Sequence, residues 1–77
     1  MMTKLSERML ALRKEKGLQQ KIAAAEIGIS LREYQRYEYG QREPTASSII
    51  ALANLYGVSA DYLLGMSDNP HPEDQNT

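Results

Sequence analysis

The sequence predicts an all-α fold, a compact bundle of five short helices. Three observations carry that prediction. Apolar residues recur at helical spacing in successive segments, a glycine closes each segment (Gly17, Gly28, Gly40, Gly57, Gly65), and no stretch alternates apolar and polar residues as a strand would. No internal repeat occurs.

Leu5, Met9 and Leu12 fall at i, i+4 and i+7 with charged residues between them, which predicts an amphipathic first helix ending near Lys16 and stopped by Gly17. The alanine-rich segment Gln20 to Ile27 favours a second, short helix. Gly28 closes it, since glycine takes the positive φ that a chain often needs after a helix. Ser30 offers an N-cap hydroxyl and Glu33, three residues on, a capping-box partner, so a third helix is expected from Leu31 to about Tyr39, ending at Gly40. "QREPT" is a loop: Pro44 disfavours helix at Glu43, and Thr45 can cap the next helix. There Ile49, Leu52, Ala53 and Tyr56 share one face and Gly57 ends the element. Ser59 starts a fifth helix with Leu63 and Leu64 on its apolar side and Gly65 as its stop.

At 77 residues the chain forms one small domain, taken as residues 1–66, followed by a polar, acidic tail over 67–77 expected to be disordered. It has no cysteine, which rules out disulfides and thiolate metal sites and suits a reducing cytoplasm. No apolar run approaches the roughly 18–20 residues that span a bilayer, and the start lacks the apolar run of a signal peptide. The expected location is cytoplasmic.

The net charge of −1 conceals a strong asymmetry. All nine Lys and Arg lie in residues 1–44 beside six acids, giving +3, whereas residues 45–77 carry four acids and no base, giving −4. Only the first part can attract a polyanion.

Two short helices joined by a tight glycine-containing turn form a helix-turn-helix unit. Ala24, four residues before Gly28, stands where the helices pass closely. Tyr34 and Tyr37 lie on one face of the third helix and are expected to pack inward, with Tyr56 also in the core. Leu31, Arg32, Gln35 and Arg36 then share the outward side. Arginine can bond a guanine edge through two nitrogens at once, so an outward helix face carrying two arginines suits the DNA major groove.

With those residues in place, "LRKEKGLQQ", "AAEIGIS", "YQRYEYGQREP" and "LANLYGVSADYLLG" resemble the lambda-repressor-like (Cro/CI-type, XRE-type) helix-turn-helix DNA-binding domains of phage and bacterial regulators. The resemblance runs from Leu5 to about Ser67. It implies base contacts from Leu31, Arg32 and Arg36, and phosphate contacts from Gln20, which also buttresses the third helix, and from Gln41 and Arg42. Arg13 and Glu38 match a pair that forms an ion pair between the first and third helices in some members. Arg13, Lys14, Lys21 and Arg42 are expected to attract phosphate.

The function expected is a sequence-specific transcriptional regulator of repressor type that binds double-stranded DNA as a homodimer on a pseudo-palindromic operator. Tyr62, Leu63, Leu64 and Met66 are the candidate dimer contacts, and the dimer either pre-exists or forms only on DNA. Four features depart from the family pattern. Leu31 cannot read a donor or acceptor, Glu33 places a carboxylate on the reading helix, and Leu10 and Ile22 are expected as exposed apolar spots. Glu33, Leu10 and Ile22, with the net negative charge, support the alternative, an antirepressor or antitoxin-like module of the same fold that chiefly binds another protein. Asp68, His71, Glu73 and Asp74 read as a solvated tail and not a metal site. No cofactor motif, phosphate loop or nucleophile–base pair points to an enzyme, and the apolar stripe of the first helix is needed for the core, not a membrane.

Overall fold

The computed structural model describes residues 2–71, which form five helices: α1 Lys4–Lys16, α2 Gln20–Glu26, α3 Leu31–Glu38, α4 Ala46–Tyr56 and α5 Ala60–Leu64. The all-α expectation holds across the described residues, and the predicted boundaries differ from these only at helix ends. Helices α2 and α3 each stop one residue earlier than expected, with Ile27 and Tyr39 as C-caps.

Side-chain oxygens begin four of the helices. Thr3 and Ser6 exchange hydrogen bonds in a capping box at α1, and Ser30, Thr45 and Ser59 accept from the backbone N–H three residues on in α3, α4 and α5. At α3 the box is only half made. Ser30 Oγ accepts the Glu33 N–H at 3.0 Å, but the Glu33 carboxylate turns away to the Arg42 guanidinium, 3.1 Å distant.

Gly28 (φ +76) makes the turn between α2 and α3, and the Ile29 N–H returns to the Ala24 carbonyl at 3.0 Å. Ala24 itself is buried, so both small residues are used as the sequence predicts. Gly65 carries a second constraint besides its φ of +84: a Cβ there would stand 2.6 Å from Lys4 Cγ, so α1 and the end of α5 approach more closely than any other residue allows.

The core comprises Met9, Ala23, Ala24, Tyr34, Tyr37, Leu52, Ala53, Tyr56 and Leu63, with Leu5, Leu12, Leu18, Ile27, Ile29, Leu55 and Val58 packed around it. Fully buried side chains the size of Met9, Leu52 and Leu63 each stabilise the fold by about 1.5–3 kcal/mol relative to exposure.

Three expectations need correction. Leu10 is half-buried, not an exposed spot, because its flank of α1 is partly covered, whereas Ile22 stays exposed. Leu63 is 0% exposed, occupied by its own core, and so is removed from the candidate dimer surface. The tail does not begin at residue 67: Pro70 accepts the Ser59 N–H at 2.9 Å, and Arg8 donates to the Ser67 carbonyl at 2.7 Å and to Asp68 at 3.0 Å. The expected disorder of 72–77, with Glu73 and Asp74, lies outside the described residues.

Candidate nucleic-acid interface

Helix α3 has only eight residues, and its inward side is formed by Tyr34, Tyr37 and Glu38, all buried. With these three facing in, Leu31 is 42% exposed, Arg32 is exposed and Arg36 is half-exposed. The predicted base-reading residues therefore share the outward side of one helix. Among the described residues no ion pair engages Arg32 or Arg36, which leaves both guanidinium groups available to an anion.

A polar network fixes this arrangement from beneath. The Glu38 carboxylate, 1% exposed, receives Arg13 Nε at 2.8 Å on one oxygen and the Gln20 side-chain amide on the other. The Tyr34 hydroxyl lies 3.4 Å from the same carboxylate and shares a short hydrogen bond with the Tyr56 hydroxyl of α4. Arg13 also donates to the Leu18 carbonyl at 2.8 Å, tying the α1–α2 turn into the brace. Its pKa is raised, first by the hydrogen bond to Glu38, against a smaller opposing effect of burial. Burial is the main cause that pushes both tyrosine hydroxyls upward as well, so each stays protonated and able to donate.

Gln20 makes the buttress to the third helix that the family resemblance implies. Its NH2 donates to Glu38 and, at 3.3 Å, to the Tyr39 hydroxyl, and its carbonyl oxygen accepts from Gln35 at 3.0 Å. Both hydrogens and the acceptor are thus used inside the protein, and the carboxamide acts as a bracket between α2 and α3. Gln35, expected to be outward, is half-buried for the same reason. Arg13 is withdrawn from the phosphate-attracting set, because its side chain is 14% exposed and committed to Glu38 and Leu18. Lys14, Lys21, Gln41 and Arg42 are exposed.

Arg8, which the sequence did not single out, and Gln35, expected on the outward face, organise the surroundings. Arg8 stacks on the Tyr62 ring at 3.9 Å, bonds the Tyr62 and Ser67 carbonyls, and pairs with Asp68. Its partners lie 54 to 60 residues away in sequence, beyond any helical-period signal. Gln35 gives no signal because its partner, Gln20, becomes a neighbour only once the turn is formed. Beside the α3–α4 loop, an open groove of about 430 Å3 is lined by Leu5, Tyr37, Arg42, Pro44, Ile49 and Leu64.

Comparison with known proteins agrees with this geometry. A family model described as Helix-turn-helix matches residues 9–63, most of the folded domain. The chain belongs to the lambda-repressor-like helix-turn-helix family. Among curated members of this helix-turn-helix family, it is 39% identical over 67 residues to the uncharacterized HTH-type transcriptional regulator YobD of Bacillus subtilis, covering 87% of this chain and 60% of that one. It is also 39% identical over 62 residues to the cryptic phage CTXphi transcriptional repressor RstR of Vibrio cholerae, covering 80% of this chain and 55% of the repressor. The helix-turn-helix domain thus spans little more than half the length of these relatives. The crystal structure of the P22 c2 repressor protein in complex with synthetic operator 9T in the presence of Tl+ superposes with a TM-score of 0.78 at 28% identity, covering 82% of this chain and 96% of that one. No helix among the described residues is long and apolar enough to cross a membrane.

Proposed function

We propose that this chain is the DNA-binding part of a sequence-specific transcriptional regulator of repressor type, acting in the cytoplasm on double-stranded DNA. The observation that carries the reading is the outward face of α3, where Leu31, Arg32 and Arg36 project while Tyr34, Tyr37 and Glu38 hold the helix from within. The operator complex of the P22 c2 repressor and the repressor name of RstR support it.

In this mechanism Lys14, Lys21, Gln41 and Arg42 meet the phosphate backbone and set register without reading sequence. Arg32 and Arg36 seek guanine edges, and Leu31 touches a thymine methyl. One short helix reads only a few base pairs, so discrimination needs two copies on half-sites about 10 base pairs, or roughly 34 Å, apart. With Leu63 in the core, the dimer contact falls to Leu64 and Met66, which are 40% and 76% exposed, with Tyr62 beside them. Leu64 and Arg42 line the same groove, so a partner seated there would lie next to the phosphate-binding loop.

The test is selection of bound sequences from random duplexes, followed by titration at several salt concentrations. A two-fold motif is expected, lost in Arg32→Ala and Arg36→Ala while helicity is retained. No motif even at low salt, combined with tight binding to a companion protein, overturns the reading in favour of a protein-binding module, for which exposed Ile22 offers an apolar contact.

A further inference from the structure

Glu33 and Arg42 stand apart from the rest of the interface. The polar groups beneath α3 are buried and bonded several times over, whereas this pair bridges the first turn of α3 and the following loop across an exposed surface. Glu33 Oε2 lies 3.1 Å from Arg42 Nε, with the two side chains 26% and 54% exposed. Glu33 has a local alternative, the Ser30 N–H that would complete its capping box, and does not take it. Its carboxylate instead stays on the helix turn that carries Leu31 and Arg32, where it occupies a guanidinium expected on phosphate.

A carboxylate brought against a duplex is repelled by the backbone and must find a donor. In the major groove the cytosine edge presents an amine alone, whereas adenine sets an acceptor, N7, beside its amine, which repels an acceptor-only group. Cytosine is therefore the base that can take over the partner role of Arg42.

We propose that Glu33 and Arg42 form an exchange pair, which makes phosphate binding by the α3–α4 loop conditional on the base met at the start of α3. In the free protein the carboxylate holds Arg42. On a site with cytosine in reach of Glu33, the base amine replaces the guanidinium and Arg42 moves to a phosphate. On any other base, either the pair persists and one phosphate contact is missing, or the carboxylate is left without a partner. Glu33 thereby sets specificity at one position per half-site through a second residue. The inference rests on the DNA-reading assignment of α3 made above.

The test combines selection from random duplexes by the parent and Glu33→Gln proteins with dissociation constants, across salt, for Glu33→Gln, Arg42→Gln and the double variant. The glutamine is isosteric and the Ser30 cap uses the backbone of residue 33, so folding is retained. The parent is expected to enrich cytosine at one position per half-site and to lose about tenfold or more in affinity when that base alone is changed. Glu33→Gln should lose this preference while keeping the rest of the motif. It should also bind the altered duplex more tightly than the parent, with a salt slope steeper by about one per protomer as Arg42 is freed. That gain should vanish in the Arg42→Gln background. An unchanged motif in Glu33→Gln, or an equal gain with and without Arg42, overturns the exchange and leaves two independent surface charges. Absence of any two-fold motif in the parent is a separate failure, that of the DNA-reading assignment, and the exchange falls with it.

Discussion

Replacing Arg13 with methionine tests whether the α1–α3 brace is as buried as its geometry indicates. The substitution keeps most of the aliphatic volume and removes the charge, leaving the Glu38 carboxylate, 1% exposed, with the Gln20 amide and the more distant Tyr34 hydroxyl. Breaking a buried pair from one side costs about 3–5 kcal/mol, because the remaining charge is not resolvated. Glu38 keeps two donors, so the lower end, about 3 kcal/mol, is expected. A chain of 77 residues has about 4–12 kcal/mol of total stability at about 0.05–0.15 kcal/mol per residue, so the loss is a large fraction of it. In thermal unfolding it corresponds to a fall in Tm of about 12–24 °C. Glu38→Gln should cost less, since Arg13 lies nearer to water, and the double variant should cost clearly less than the two single effects combined. Arg13 has a raised pKa, so its contribution is complete below the ordinary guanidinium range and is lost only as pH rises through the still higher folded value. Its titration therefore adds no pH dependence near neutrality. Urea unfolding of the three variants at neutral pH is the assay. A loss below about 1 kcal/mol for Arg13→Met, with additive effects in the double variant, would match an exposed pair and refute the burial argument.

Three further outcomes follow from other parts of the structure. Burial raises the Tyr34 and Tyr56 hydroxyls above their ordinary value of 10.0, so the unfolded chain loses these protons first as pH climbs. The tyrosine contribution to stability should be constant below about pH 10 and fall above it by up to about 1.4 kcal/mol per pH unit for each tyrosine; urea unfolding above that pH, with Tyr34→Phe showing a shallower fall, checks the sign. Arg8→Ala should cost about 1–3 kcal/mol through its charge-assisted bonds to the Tyr62 and Ser67 carbonyls. It should also release residues 67–71, read as faster hydrogen exchange at the Ser59 amide, which Pro70 protects. Met66→Glu should leave the monomer's thermal stability within about 0.5 kcal/mol, since that side chain is 76% exposed, and reduce affinity for a two-half-site operator far more than for a single half-site in a mobility-shift titration.

The helices and the inward set of α3 were legible in the sequence because their causes are local. A cap hydroxyl, a glycine at positive φ and a three-residue tyrosine spacing all act within one or two turns. What was not legible depends on contacts made only after folding. Arg8 looks like any surface arginine of a charged helix until α5 and residues 67–71 arrive beside it, and Leu63 cannot be told from Leu64 by pattern in a five-residue helix. The buttress from Gln20 was expected from resemblance alone, because the three partners that occupy its carboxamide come from α3 and its C-cap. Glu33 shows the limit of a local rule. Its spacing from Ser30 fits a capping box, but an unclaimed guanidinium in the next loop competes for its carboxylate, and a charge-assisted contact outweighs a bond to a neutral amide.

The polar composition of the brace bears on what α3 can do. An eight-residue helix anchored only by apolar contacts can rotate modestly with little change in buried area, because hydrophobic burial is not directional. Each residue along a helix turns about 100°, so a rotation of even a third of that would shift Arg32 and Arg36 away from their base edges. The Glu38 carboxylate opposes such a rotation, since it must meet Arg13 from α1 and Gln20 from α2 at fixed angles while Tyr34 reaches α4 through Tyr56. Replacing this network with apolar side chains of equal volume could preserve or even raise stability. The expected loss is in orientation, so a stable apolar replacement of Arg13, Gln20 and Glu38 together should bind DNA with a broader selected motif at similar helicity. An unchanged motif in that variant would mean that the tyrosines alone fix the angle of α3.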